Sequence, residues 1–141
     1  MPLMAVTRLR LKNPGVLDAF FAAAVAVLEQ AKKSEGSLGS DALAEANDTW
    51  WTVTAWADRP AMEAFVRAEP HRATMARLDD WCDEATFVDW EQASPDLPDW
   101  QTSYQHIVAD GTSASLLHPS AAQHDRSFPP PVLPAPEAGG S

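Results

Sequence analysis

The stretch from Thr49 to Ala57 is the feature that most restricts the fold of this chain. It contains three tryptophans and four β-branched residues, and residues of both kinds favour a β-strand. Side chains alternate along a strand, so this stretch presents two different faces. One face receives Trp51, Val53 and Ala55, and the other receives Trp50, Thr52, Thr54 and Trp56. The strand therefore carries large side chains on both of its faces.

The segments around this strand alternate between the two kinds of secondary structure. Apolar residues at every second position predict strands, and apolar residues at helical spacing predict helices. The predicted elements are a strand at Leu3–Leu11, a helix at Val16–Lys33, a weak strand at Ser37–Ala46, helices at about 61–68 and 70–82 on either side of Pro70, and a strand at Thr86–Glu91. This β-α-β-β-α-β order predicts an α+β, ferredoxin-like fold, an antiparallel sheet with both helices on one face.

Such a sheet leaves its second face uncovered, and an exposed apolar face of that size usually marks an interface. We expect a homodimer in which two copies pack sheet on sheet, since a two-fold axis makes the same surface self-complementary. Trp50 and Trp56 are predicted on the dimer face, and Trp51 and Val53 on the helix-facing side. This assignment of the two faces depends on hydrophobicity alone.

The C-terminal part of the chain differs in composition from the rest. All six tryptophans precede residue 105, whereas six prolines lie between Pro119 and Ser141. A segment with so little apolar surface is predicted to stay disordered. We therefore predict a folded domain at 1–105, a short extension and Pro-rich tail at 106–141, and mobility from about residue 112 onward.

Charge and motif content exclude several function classes. The formal net charge of -10 argues against nucleic acid or an anionic membrane as a partner. The single cysteine, Cys82, excludes an internal disulfide, and no apolar run approaches a membrane span. The start of the chain has no basic segment or cleavage site, so a cytoplasmic location is predicted. No phosphate-binding loop or metal-ligand spacing is present, so we predict no metal.

His71 is the only histidine before residue 105 and the main candidate for chemistry. Met75 follows it at i+4, which places His71 on the apolar side of the predicted helix. Two interpretations stay open: a structural histidine bonded to a backbone carbonyl, or a general base with a pKa near neutrality.

Several segments of the chain resemble the antibiotic biosynthesis monooxygenase group of the dimeric α+β barrel superfamily. The resemblance covers roughly residues 3–105. It is carried by Trp51–Asp58, Ala61–Val66, Pro70-His71-Arg72 and Met75, and the continuation through Trp81, Val88–Trp90, Pro95, Pro98 and Trp100 is closer still to a related family of unknown function.

The resemblance implies a cofactor-independent monooxygenase that acts on a small hydrophobic or aromatic molecule of polyketide or quinone type. His71 would be the base, and the substrate would bind among Trp51, Val53, Thr54, Phe65 and Met75. No cofactor is implied.

Two alternatives come from other function classes. The first is a haem-binding protein that uses His71 as ligand. Counting along the chain as in the haem-degrading branch places Met75 where that branch has its ligand histidine and Phe65 where it has a tryptophan. The second is a non-catalytic, dimeric binding or accessory protein, in which the Pro-rich segment Phe128–Pro136 would be a recognition sequence.

Overall fold

A computed structural model describes residues 1–133 of the 141-residue chain. Its strands form one antiparallel sheet in the order β2-β3-β1-β4-β5. The strands are β1 (Leu3–Leu11), β2 (Ser37–Ala44), β3 (Thr49–Trp56), β4 (Cys82–Glu91) and β5 (Thr112–Ser113), and the helices are α1 (Leu17–Lys33), α2 (Arg59–Arg67), α3 (His71–Met75), α4 (Leu78–Trp81), α5 (Trp100–Asp110) and α6 (Ala121–Asp125). The first four strands and α1–α4 confirm the ferredoxin-like α+β prediction.

Local sequence signals fix where the main helices begin and end. Asp58 precedes α2 and accepts a hydrogen bond from the N–H of Ala61, and Pro60 lies in the first turn. Asp99 caps α5 in the same way through the N–H of Thr102. Lys32 and Lys33 lie in the last turn of α1, where the helix dipole favours cations.

Helices α1–α4 cover one face of the sheet, which we call the helix face. Phe20 of α1, together with Leu78 and Trp81 of α4, packs against Leu9 and Leu11 of β1. At the other end of the same face, Ala31 of α1 and Phe65 of α2 enclose Leu3 and Trp56. The break predicted at Pro70 separates α2 from α3, and the helix predicted at 70–82 is itself divided into α3 and α4.

The opposite face, here called the sealed face, is covered by the C-terminal part of the same chain. Ile107 of α5 and Phe128 pack with Val6, Trp51 and Val53, and Trp100 and Tyr104 flank this cluster. Tyr104 lies edge-on to Trp51 with 6.5 Å between the ring centroids. The prediction that all helices lie on one face therefore holds for α1–α4, and α5 is an addition.

Buried contacts of Gln123 and Phe128 anchor the segment 112–133 to the sheet, which corrects the prediction of a mobile tail beginning at about 112. The buried Gln123 side chain hydrogen-bonds both the N–H and the C=O of Ala85 and also the C=O of Ala114. The Tyr104 hydroxyl donates to the C=O of Phe128 over 2.8 Å. The predicted boundary at residue 105 falls inside α5, and residues 134–141 of the predicted tail lie outside the described residues.

A buried ion pair anchors this segment to the sealed face. Arg8 and Glu84 form a salt bridge with side chains only 2% and 3% exposed. The Arg8 guanidinium lies over the Phe128 ring, 4.1 Å from its centroid, and the Ser120 hydroxyl donates to Glu84. The C-terminal segment therefore contributes both an apolar cover and polar partners.

The prediction that Trp50 and Trp56 lie on the dimer face is wrong. Both side chains lie beneath the helices. Trp50 contacts Phe20 and Phe21 of α1, and Trp56 stacks near Phe65 of α2. The sealed face is already occupied by α5 and Phe128. The homodimer itself stays a prediction, without the uncovered sheet face that was the physical argument for it.

Candidate functional site

A cavity of about 700 Å³ lies between the helix face of the sheet and helices α1–α3. This size is typical of small-molecule sites. Most of its surface is apolar, and the polar groups are mainly threonine hydroxyls and His71. Phe21, Val25 and Val66 line the cavity while remaining partly exposed, so they mark its mouth.

The cavity exists because the middle of the helix face carries small side chains. Thr7 of β1 lies opposite Thr52 of β3, which in turn lies opposite Ala42 of β2. The adjacent row pairs Ala5 with Thr54. Directly opposed residues share one face of a sheet, so these small groups form one continuous floor. The helices cannot fill the space above such a floor.

Aromatic clusters close the two ends of this floor. At one end Trp50 packs against Phe20, whose ring lies 6.0 Å from Trp81 in an edge-to-face arrangement. At the other end the buried Trp56 supports Phe65 at 4.9 Å between ring centroids. Trp50 and Trp56 are six positions apart along β3, which is roughly 20 Å in an extended strand. The two aromatic clusters therefore bound the cavity along the direction of β3.

His71 lies at the Phe65 end of the cavity, at the first position of α3. Its ring is 4.7 Å from the ring of Phe65, and its Nδ1 is 3.1 Å from the C=O of Val66. A carbonyl oxygen only accepts, so this bond requires the proton on Nδ1 and leaves Nε2 unprotonated. Burial lowers the pKa of His71 below its ordinary value, against the smaller opposing effect of the Val66 carbonyl. The imidazole is therefore neutral at pH 7.

Threonine hydroxyls supply hydrogen-bonding groups on the floor. The Thr54 hydroxyl accepts from the indole N–H of Trp56 over 2.8 Å, so its own proton can be donated into the cavity. Thr7, Thr52 and Thr74 also line the cavity. These hydroxyls can orient the oxygen atoms of an otherwise apolar ligand.

Charged groups lie only toward the margin of the cavity. The exposed Asp89 is held by Arg59 at 2.8 Å, and Asp110 and Thr112 line the same margin next to Phe87. Because both carboxylates lie at this exposed margin, the interior beside His71 is lined mainly by apolar side chains.

The structure brings together some of the predicted site residues and separates others. Thr54, Phe65, His71 and Met75 all line the cavity. Trp51 and Val53 are fully buried in the sealed face, so the prediction that they contact a substrate beside His71 is wrong. Their side chains point away from Thr52 and Thr54 because successive residues of a strand alternate.

Sequence reasoning identified Thr52 as a possible hydrogen-bond donor, as it did Thr54, but missed Trp50, Phe20 and Thr7 as cavity residues. The available signal was the alternation itself: the face that holds Thr52 and Thr54 is more polar at its centre than the face that holds Val53. A floor of small residues framed by tryptophans indicates a cavity, whereas the more apolar set indicates a filled core.

Other reaction chemistries find little support among residues 1–133. That part of the chain contains no group of three or more histidine, cysteine, aspartate or glutamate side chains suited to a metal ion. Cys82 is buried, and burial raises the pKa of its thiol to about 12, so it is not a thiolate at neutral pH. One helix of the described residues, Pro14–Lys33, has the length and composition of a membrane span, a test that the core helix of a soluble protein also passes. In this structure α1 forms a wall of the cavity.

Comparison with known proteins identifies a family for more than half of the chain. Residues 2–77 match the family described as antibiotic biosynthesis monooxygenase. No curated protein sequence matches the chain. The matched region includes the cavity floor, α1, α2 and His71.

Solved structures share the fold at low sequence identity. SnoaB from Streptomyces nogalater, described as a cofactor-independent oxygenase, is similar at 10% identity and a TM-score of 0.56, covering 66% of this chain and 94% of its own. A Nitrosomonas europaea protein of unknown function is similar at 22% identity and a TM-score of 0.58, covering 70% and 95%. A conserved Methanosarcina mazei protein has 15% identity and a TM-score of 0.59, covering 65% and 93%.

Proposed function

Because this chain belongs to the antibiotic biosynthesis monooxygenase family, we propose that it oxidises a small hydrophobic or aromatic molecule with O₂ and without a cofactor. The substrate class is a polyketide- or quinone-type molecule with an acidic C–H group. The single observation that supports this most is the state of His71. Its Nδ1 is tied to the C=O of Val66, so an unprotonated Nε2 is available in an apolar cavity.

The reaction starts with proton removal. Nε2 of His71 takes a proton from a CH₂ group that is activated by a neighbouring carbonyl or aromatic ring, which gives an imidazolium and a carbanion. The threonine hydroxyls on the floor stabilise the oxygen onto which this negative charge is delocalised. The apolar walls strengthen these interactions because they exclude water.

Oxygen then acts as the electron acceptor. The carbanion passes one electron to O₂, and the substrate radical and superoxide combine to form a C–O bond. The resulting peroxide anion takes back the proton from the imidazolium, which restores neutral His71. The hydroperoxide loses the second proton of the original CH₂ and one oxygen as water, which leaves a ketone. One oxygen atom of O₂ enters the product and the other becomes water, so no further reductant is required.

The test replaces the base. His71→Ala is expected to lower O₂ uptake with anthrone-type substrates by about 10²–10⁴-fold, the usual contribution of a positioned base. His118→Ala removes an exposed histidine from the C-terminal segment and is expected to leave turnover unchanged. Absence of O₂ uptake by the wild-type protein across a substrate panel would contradict the proposal, as would equal rates for His71→Ala and wild type.

Haem binding is the second candidate function, and the same histidine geometry favours it. Histidine ligands of metals commonly donate their other ring N–H to a backbone carbonyl, as Nδ1 of His71 does to Val66. His71 would hold the iron through Nε2, and a bound haem would supply oxygen or peroxide chemistry. A hemin titration that shows no Soret shift dependent on His71 would exclude this candidate.

The accessory-protein alternative assigned partner recognition to the Pro-rich segment Phe128–Pro136, of which residues 134–136 lie outside the described residues. Phe128 is 4% exposed and lies on the Arg8 guanidinium, so it is not available to a partner in this conformation. Homodimer formation and a cytoplasmic location stay predictions from the sequence.

A further inference from the structure

The amide of Gln30 joins three helices at the point where His71 enters the cavity. Gln30 lies in the last turns of α1. Its Nε2 donates to the C=O of Phe65 in α2 over 3.0 Å, and its Oε1 accepts from the backbone N–H of His71 over 2.8 Å. One side chain therefore connects the end of α2 to the first residue of α3.

Both partners of Gln30 are backbone groups at helix ends. The first N–H groups of a helix have no partner inside that helix, and His71 is the first residue of α3. Among the hydrogen bonds of residues 1–133, Gln30 is the one acceptor for this N–H, so loss of the amide leaves the N–H without a partner. The first N–H of α3 thus depends on a single amide, while the N–H of Arg72 bonds the C=O of Ala68 just after α2.

The imidazole of His71 is held by Val66, which follows Phe65 in α2. Its Nδ1 bonds the C=O of Val66, while its backbone is connected through Gln30 to the C=O of Phe65. The side chain and the main chain of His71 are therefore fixed to two successive carbonyls. A shift of α3 would lengthen the bond from Nδ1 and release the constraint on the tautomer.

We propose that Gln30 is a positioning residue that keeps His71 in the tautomer with an unprotonated Nε2. The inference extends the proposed function, since a base is useful only when its lone pair points into the cavity. It assigns Gln30 no contact with the substrate. Gln30 acts through the backbone of α3.

The charged groups around this junction pair mainly with one another and do not bond the His71 ring. Glu69 and Arg72 pair with each other at 2.8 Å outside the cavity. Glu29 pairs with Lys32 at 3.8 Å, and Glu29, Lys33 and Glu69 line the outer groove beside Gln30. Gln30 is uncharged, so its replacement by a neutral residue leaves these charges in place.

The test compares Gln30→Met with Glu29→Met in the full-length protein. Methionine keeps the length and apolar stem of glutamine and removes both hydrogen bonds, whereas Glu29 is exposed on the same helix. Nitrogen-15 NMR of the histidine ring distinguishes a protonated from an unprotonated ring nitrogen without any substrate. We expect the Nδ1–H tautomer to dominate for His71 in wild type and Glu29→Met, and a mixture of tautomers in Gln30→Met. The pKa of His71 should move up toward its ordinary value as the ring becomes more hydrated.

A second variant keeps the test decisive if Gln30→Met unfolds. Gln30→Glu retains an acceptor for the N–H of His71 and loses the donor to Phe65, so it should show a smaller loss of the Nδ1–H tautomer. The inference is overturned if folded Gln30→Met shows the wild-type tautomer and pKa or, where Gln30→Met does not fold, if Gln30→Glu shows the wild-type tautomer. Because the NMR result needs no turnover, it separates failure of this inference from failure of the proposed oxidation. If turnover is detected, Gln30→Met should lower it at least tenfold while Glu29→Met does not.

Discussion

The two faces of the sheet differ in the size of their side chains at neighbouring positions of the same strands. On β3, Thr52 and Thr54 point to the helix face, whereas Trp51 and Val53 point to the sealed face. The helix face therefore encloses a cavity of about 700 Å³. The sealed face is filled by Ile107 and Phe128.

This difference shows how one strand can border a cavity on one face and a packed core on the other. A close-packed layer stabilises the fold because each buried apolar group loses contact with water. A floor of small residues gives up part of that stabilisation and leaves room for a ligand. We therefore expect substitutions on the sealed face to affect unfolding and substitutions on the helix face to affect binding.

The largest expected effect on stability concerns the buried ion pair of the sealed face. Glu84→Gln leaves the Arg8 guanidinium buried without its counter-charge. Breaking such a pair costs about 3–5 kcal/mol, measured as the free energy of unfolding in urea. Asp80→Asn, which removes the partner of Arg77 in an exposed pair, is the control and should have little effect. Equal effects of both substitutions would contradict the buried pairing.

Phe128→Ala is expected to have the next largest effect. The ring fills the sealed face and covers Arg8, and removal of a buried aromatic ring costs about 3 kcal/mol or more. Thermal unfolding followed by circular dichroism measures it. Leu133→Ala changes a nearby exposed side chain and should leave the melting temperature unchanged.

The same variant also tests what covers the sheet. If the C-terminal segment is the cover, Phe128→Ala should increase binding of a hydrophobic dye and raise the sedimenting mass, because an apolar face becomes accessible. If the wild-type protein formed a homodimer that cross-links through residues of the sealed face, a second copy would occupy this face instead.

Two neighbouring residues of β3, Val53 and Thr52, allow the sealed face and the helix face to be compared directly. Val53→Ala should cost about 2 kcal/mol, because two buried methyl groups and their contacts are lost. Thr52→Ala removes a group that borders open space and should cost less than about 1 kcal/mol. Urea titrations of both variants decide the point, and the reverse order would mean that the two faces are misassigned.

The smallest expected effect is a pH dependence that comes from the helix face. The pKa of His71 is lowered in the folded protein by burial, so below about pH 6.5 the unfolded state binds the proton first. Stability should therefore fall as the pH decreases from about 6.5 to the lower pKa of the folded state. His71→Gln should remove this slope. Asp99 and Asp125, whose pKa values are lowered by hydrogen bonds, act only in the more acidic range of carboxylates.

The strands and their order could be predicted from sequence because alternation is a local signal. The assignment of the faces could not, since the set Trp51, Val53 and Ala55 is more apolar than the set that lines the cavity. Hydrophobicity indicates burial but does not distinguish a filled core from a ligand site.

The C-terminal cover was missed for a related reason. The strand β5 has two residues and α6 has five, which is too short for a periodic pattern. Trp100, Tyr104 and Ile107 do follow the i, i+4, i+7 spacing of an amphipathic helix. An amphipathic helix at this position predicts a cover for the second face of the sheet, which is the face that holds Trp51.

The most direct test of the two-face account uses methyl groups on adjacent residues of β3. With threonine and valine methyls labelled for NMR, an anthrone probe bound to the full-length protein should show intermolecular nuclear Overhauser effects to Thr52 and Thr54. It should show none to Val53, which lies on the sealed face. Contacts to Val53 in the absence of contacts to Thr52 and Thr54 would contradict the account.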